Sequence, residues 1–125
     1  MTEIEFKQRT KKLALEVIKF VDELPRSRTA DVLTGQLLRS ATSVAANYRA
    51  ACRAKSVADM IAKLGIVEEE ADESDFWMEL LVDSGKIRAD RLRELRREAG
   101  EILAMTVASI KTLRAKSQPN PKSRI

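Results

Sequence analysis

The sequence predicts an all-α protein, an up-down-up-down left-handed antiparallel four-helix bundle. The prediction rests on three observations. Ala, Leu, Glu, Lys and Arg dominate the 125 residues, while only 4 Gly and 3 Pro occur and aromatics make up 4%, a balance that favours helix over strand. Apolar residues recur every three or four positions along four long stretches. The connectors between the stretches are short, so the chain cannot return to the same end and sequential helices must run antiparallel. Core lines that repeat near seven residues per two turns favour shallow, left-handed crossings.

The first helix is expected from about residue 3 to Leu24, with Thr2 as N-cap, Glu5 as its capping-box partner and Pro25 as the stop. Phe6, Leu13, Val17, Phe20, Val21 and Leu24 share one face of it. Either Ser27 or Thr29 can cap a second helix reaching about Arg53, whose apolar line is Leu33, Leu37, Ala41, Val44, Tyr48 and Ala51. Ser56 with Asp59 starts a third helix that meets no breaker before Ser84, and Gly85 suits the left-handed residue that closes it. Its core line is Met60, Leu64, Val67, Ala71, Ser74, Met78 and Leu81. Asp90 can cap a fourth helix to roughly Lys116, carrying Leu92, Leu95, Ala99, Ile102, Met105, Thr106, Ser109, Ile110 and Leu113.

One domain is expected, because two cores at this length would each bury too little surface. The bundle should occupy residues 1–116, with 117–125 a disordered basic tail containing Pro119 and Pro121. Residues 111–125 hold Lys111, Arg114, Lys116, Lys122 and Arg124 and no acid, so the formal charge of +4 arises in this last stretch and residues 1–110 are close to neutral. A single cysteine, Cys52, rules out an internal disulfide, and no apolar stretch is long enough to cross a bilayer. A soluble, cytoplasmic protein is expected, with no membrane partner.

Chemistry is scarce. There is no His, which removes Ser-His and Cys-His catalysis and most zinc arrangements. No Gly-rich phosphate loop occurs. The run Glu68, Glu69, Glu70, Asp72, Glu73, Asp75 spreads around a helix rather than gathering in a loop, so it reads as a solvated face with salt bridges. Cys52 reads as a small packed residue. No catalytic residue, metal or cofactor is expected, and the protein should not be an enzyme.

Three groups lie outside the core lines. Ile66, Phe76, Trp77 and Leu80 sit nearly opposite the core line of helix three, with Glu69 and Glu73 among them. They are either flank residues that wrap onto helices two and four, or a subunit interface; the grouping of Phe, Trp and Leu favours the interface. Ile4, Leu15 and Ile18 add to it from helix one. Gln36, Ser40, Ser43 and Asn47 form a polar line bordering the core of helix two, expected to pack closely with the amides bonded to a neighbouring helix. Arg26, Arg28, Arg39, Arg49, Arg53 and Lys55, on helix two and its ends, are candidate contacts to an RNA or DNA backbone. Stacking platforms for bases are missing beside them, which argues against reading of single-strand sequence.

The spacing Leu33-x-x-Gln36-x-x-Arg39-x-x-x-Ser43-x-x-x-Asn47, followed by Arg53-x-x-Ser56 and an acidic third helix ending in Glu79-Leu80-Leu81, resembles a family of bacterial four-helix-bundle proteins encoded in intervening sequences of 23S ribosomal RNA genes. The resemblance runs to about Leu113. Where much of the family carries an Ala-Glu-Gly run after the Asn, this chain has Tyr48-Arg49-Ala50-Ala51, so helix two should continue further before it breaks. The resemblance implies a ring-like homopentamer without enzymatic activity. It also implies a fold shared with retroelement accessory proteins that bind nucleic acid. The expected partners are therefore further copies of the chain, with RNA, DNA or another protein as further partners.

Overall fold

Helices begin in this chain where a hydroxyl is supplied for the first unpaired amides. Thr2 Oγ1 accepts from the Glu5 amide at 3.1 Å, Ser27 Oγ from Ala30 at 3.1 Å and Ser56 Oγ from Asp59 at 3.0 Å. The computed structural model describes residues 1–117, and among them it contains four helices and no strand: α1 (Glu3–Asp22), α2 (Arg28–Cys52), α3 (Val57–Asp83) and α4 (Ala89–Ser117). Of the two candidate caps for α2, Ser27 is the one used, and Thr29 lies inside the first turn.

Three helix ends depart from expectation. α1 stops at Asp22 with Glu23 as C-cap, two residues before Leu24, because the chain must already turn ahead of Pro25. α4 begins at Ala89, so Asp90 does not cap it; its charge sits in the first turn, where it faces the positive end of the helix. α4 also continues through Ser117, one residue into the expected tail, and the rest of that tail lies outside the described residues. Between α3 and α4, Gly85 adopts φ 77°, the left-handed conformation anticipated for it. The amides of Lys86 and Ile87 then reach back to the Leu81 carbonyl at 3.1 Å, and Ile87 folds into the core.

α1 packs on α2 and α4, α2 on α3, and α3 on α4, the α1–α4 contact being the least extensive of these. Phe6 near the start of α1 meets Tyr48 near the end of α2 with ring centroids 4.4 Å apart. Asp75 of α3 accepts from Arg96 of α4 at 2.7 Å, and the Arg91 guanidinium of α4 lies 5.5 Å from the centre of the Phe20 ring of α1. The core runs the length of the bundle through Leu13, Val17, Leu37, Val44, Leu64, Val67, Met78, Leu81, Leu92 and Ile102, all essentially without solvent exposure. Each such side chain contributes roughly 1.5–3 kcal/mol. Ser109 does not belong to this core: it is exposed, while its neighbour Ile110 turns inward.

Five hydroxyl residues are buried with the apolar set: Thr10, Thr34, Ser40, Ser74 and Thr106. Each has a carbonyl of its own helix within reach, Lys7, Ala30, Leu37, Glu70 and Ile102 respectively, at 2.7 to 3.2 Å. Their polarity is thus met locally, which is why they fit among leucines at little cost.

Candidate interaction surfaces

The outward face of α3 combines acid with apolar surface. The segment Val57–Asp83 carries nine acidic residues against the single Lys63. Its buried side uses Leu64, Val67, Ala71, Ser74, Met78 and Leu81, so residues about half a turn away must face solvent. Phe76 is 47% exposed and Ile66 40%, and Glu69 and Asp72 beside them are exposed with no cation within 4.0 Å among the described residues. Trp77 stands edge-on to Phe76 with centroids 5.1 Å apart, but it is partly buried against the core. Its indole N–H is buried without an acceptor among the described residues. Leu80 is half-buried, and Glu73 is drawn sideways to Arg39 of α2. Of the six residues read as an interface, Ile66, Glu69 and Phe76 therefore project outward, while Glu73, Trp77 and Leu80 flank the seams.

The polar line of α2 is resolved differently from expectation. Asn47 Nδ2 donates to the Ser43 carbonyl at 3.0 Å and to Ser43 Oγ at 2.8 Å, and Gln36 Oε1 accepts from Arg39 Nε at 3.0 Å. Both amides thus bond within α2, because their nearest acceptors and donors lie one turn away on the same helix. Only Ser40 reaches a neighbour, accepting from Ser74 Oγ of α3 at 2.9 Å. Arg39, next to this line, bridges outward to Glu70 at 3.1 Å and to Glu73.

The candidate cations divide into paired and unpaired. Arg26 donates to Asp31 at 3.1 Å, and Arg39 is engaged by the two glutamates of α3. Arg28, Arg49, Arg53 and Lys55 are exposed and have no carboxylate within 4.0 Å among the described residues. Arg49 lines a depression between α1 and α2 together with Lys7, Lys11, Ala45 and Ala46. It continues into a second depression formed by Ala46, Ala50, Arg53 and Lys63. Together these make a groove with an alanine floor and a cationic rim, in which Lys63 is paired with Asp59 at 2.6 Å, Lys7 lies 4.0 Å from Glu3, and Lys11, Arg49 and Arg53 have no carboxylate within 4.0 Å among the described residues. Lys7, Lys11 and Lys63 were not singled out by sequence reasoning. The four-residue spacing of Lys7 and Lys11 was visible, but their meeting with Arg49 requires α1 laid beside the end of α2.

The remaining titratable groups are structural in their surroundings. Arg9 of α1 donates to Glu98 and Glu101 of α4, at 3.0 Å from Nη2 to Glu98 Oε2, and Arg97 extends the network to Glu94 and Glu101. The hydrogen bond from Arg9 holds the Glu98 carboxyl below its ordinary value. Burial pushes the Cys52 thiol up, and burial followed by its contact with Cys52 pushes the Tyr48 phenol up, the reverse of what activates a nucleophile. Among the described residues no group of three or more His, Cys, Asp or Glu is arranged to hold a metal ion. No described helix is long and apolar enough to cross a membrane.

A sequence profile described as 23S rRNA-intervening sequence protein matches residues 2–108. Among solved structures, the chain is similar to a protein of unknown function from the S23 ribosomal protein family of Bacteroides thetaiotaomicron VPI-5482. The two share 32% identity and superpose with a TM-score of 0.82 over 89% of this chain and 99% of that one. No curated protein matches significantly.

Proposed function

The chain belongs to the family of 23S rRNA-intervening sequence proteins, and we propose that it works without catalysis, as a homo-oligomeric helical scaffold acting through macromolecular contacts. The observation that carries this reading is the outward face of α3, where Ile66 and Phe76 are exposed beside a half-buried Trp77. Large aromatic and aliphatic side chains grouped on one face are typical of buried interface centres. The body in this reading is an up-down-up-down left-handed antiparallel bundle. Support comes from the meeting of Phe6 with Tyr48, Ser40 with Ser74 and Asp75 with Arg96, each pair roughly equidistant from its connecting loop. A ring of five is the assembly implied by the family resemblance, and a cytoplasmic setting suits a lone, half-buried cysteine.

Light scattering at micromolar concentration tests the reading. A multiple of the 14.0 kDa chain mass is expected, and a Phe76→Asp variant should lose it while keeping its helical spectrum. A monomeric mass for the unaltered chain overturns the scaffold.

A second reading, an accessory protein that contacts RNA or DNA backbone, is favoured by one observation: Arg49, Arg53, Lys7 and Lys11 converge around one groove. Repetition in an oligomer would multiply a weak patch, since affinity for phosphate grows with the number of cations engaged and falls with salt. Mobility shift with structured RNA at low and high salt tests it. Absence of binding even at low salt removes this reading.

A further inference from the structure

We infer that the α3 face of one copy docks into the cationic α1–α2 groove of the next, so that the chain joins to itself head to tail through two different surfaces. The inference rests on the self-association proposed above and adds which surfaces meet. Two like faces of α3 cannot pair comfortably. Nine acids against one Lys on that helix would bring Glu69 and Asp72 of both copies together without a counter-charge, and like charges brought together in an interface are strongly unfavourable.

The groove supplies what that face lacks. Arg49 and Arg53 have no carboxylate within 4.0 Å among the described residues, and Glu69 and Asp72 have no cation within that distance. Unpaired acids of α3 and unpaired arginines at the end of α2 thus line different depressions of one molecule. Shapes agree as well. Ala45, Ala46 and Ala50 give a floor of methyl groups on which the exposed Phe76 ring can lie, with the Lys7 and Lys11 stems as walls. From Glu69 to Phe76 the ridge spans about 10 Å and from Ala45 to Arg53 the floor spans about 12 Å, at the rise of a helix. Unlike surfaces on one chain give a heterologous contact, which closes into a ring or continues as a filament.

Charge reversal in the full-length chain tests the pairing. One variant carries Arg49→Glu with Arg53→Glu, a second Glu69→Lys with Asp72→Lys, and a third all four changes. Sedimentation velocity at matched concentration should show each two-site variant dissociating at least about tenfold more readily than the original chain, and the four-site variant recovering. Because reversed charge near the end of α2 could unsettle that helix, an Arg49→Gln, Arg53→Gln variant with circular dichroism accompanies the set; it should stay folded and show an intermediate loss. An oligomer indifferent to both reversals overturns the pairing alone, as does a Glu69→Lys, Asp72→Lys variant that associates as well as or better than the original. Loss of RNA binding in the Arg49→Glu, Arg53→Glu variant without change of mass assigns the groove to nucleic acid and also overturns it. A monomeric original chain overturns the self-association reading and this one with it.

Discussion

The contact between Ser40 and Ser74 permits a quantitative test of how α2 and α3 are held. Ser74 Oγ lies 2.9 Å from Ser40 Oγ and 2.8 Å from the Glu70 carbonyl, and Ser40 Oγ lies 3.2 Å from the Leu37 carbonyl. A hydroxyl has one hydrogen, so Ser74 shares its own between the Glu70 carbonyl and Ser40 Oγ, while Ser40 sends its hydrogen back to Leu37 and is left free to accept. Changing Ser74 to Ala removes the donor but orphans no other donor, so the cost should be near the net value of a neutral bond, about 1 kcal/mol. That corresponds to a fall in melting temperature of about 4 °C. Replacing both serines by Ala should cost less than the sum of the single changes by about 0.5–1 kcal/mol. Ser40→Val is a different perturbation. It puts carbon where an oxygen now sits 2.9 Å from its partner, whereas carbons settle no closer than about 3.5 Å. The helices must part, and a further 1–3 kcal/mol or so is expected. Urea titrations followed at 222 nm, at one protein concentration because self-association would shift the midpoint, give all four values. Additive serine replacements together with a Ser40→Val no worse than Ser40→Ala would refute the reasoning.

Three further outcomes are expected. Arg9→Ala should cost about 1–2 kcal/mol at neutral pH, since it leaves the partly buried Glu98 without its hydrogen-bonded partner. The Glu98 carboxyl is held below its ordinary 4.5 by that arginine, so its contribution is fully present above that value and is lost as pH falls through the lower folded-state value. Thermal melts from pH 7 to 3 should show a shallower acid loss in the variant, and parallel curves would contradict the assignment. Gly85→Ala should lower stability by about 1 kcal/mol through its φ of 77° rather than through crowding, as nothing lies within 4 Å of an added Cβ; an unchanged urea midpoint would count against it. Cys52, raised by burial, should react with iodoacetamide at pH 8 at least about tenfold more slowly in the folded chain than in urea, and equal rates would show the thiol to be open.

Most of the fold could be read along the chain because helix caps and core periodicity are local properties. Thr2, Ser27 and Ser56 cap as their spacing suggests, and the core line of α3 is buried from Leu64 to Leu81. Asp90 misled because a capping residue and a first-turn acid look alike in sequence, both answering the same positive helix end. Ser109 misled because its period matched while its neighbour Ile110 had more to gain from burial. The surfaces were less accessible to this reasoning. That Arg39 is neutralised by Glu70 and Glu73, whereas Arg49 is joined by Lys7 and Lys11, depends on which helices are neighbours and at what height. Nor could sequence divide Phe76 from Trp77, adjacent residues of which one shows its ring to solvent and the other turns toward the core.

The seam between α1 and α4 is less extensive than the others and is crossed by the ion pairs of Arg9 with Glu98 and Glu101 and by the Arg91 guanidinium over Phe20. Ionic bridges at a partly wet boundary yield to salt and acid well before close-packed leucines do. The bundle consequently has a weaker seam, and opening there would part α1 from α4 while α1 keeps its packing on α2. Amide protons of Glu3–Asp22 would then exchange ahead of those in α2 and α3.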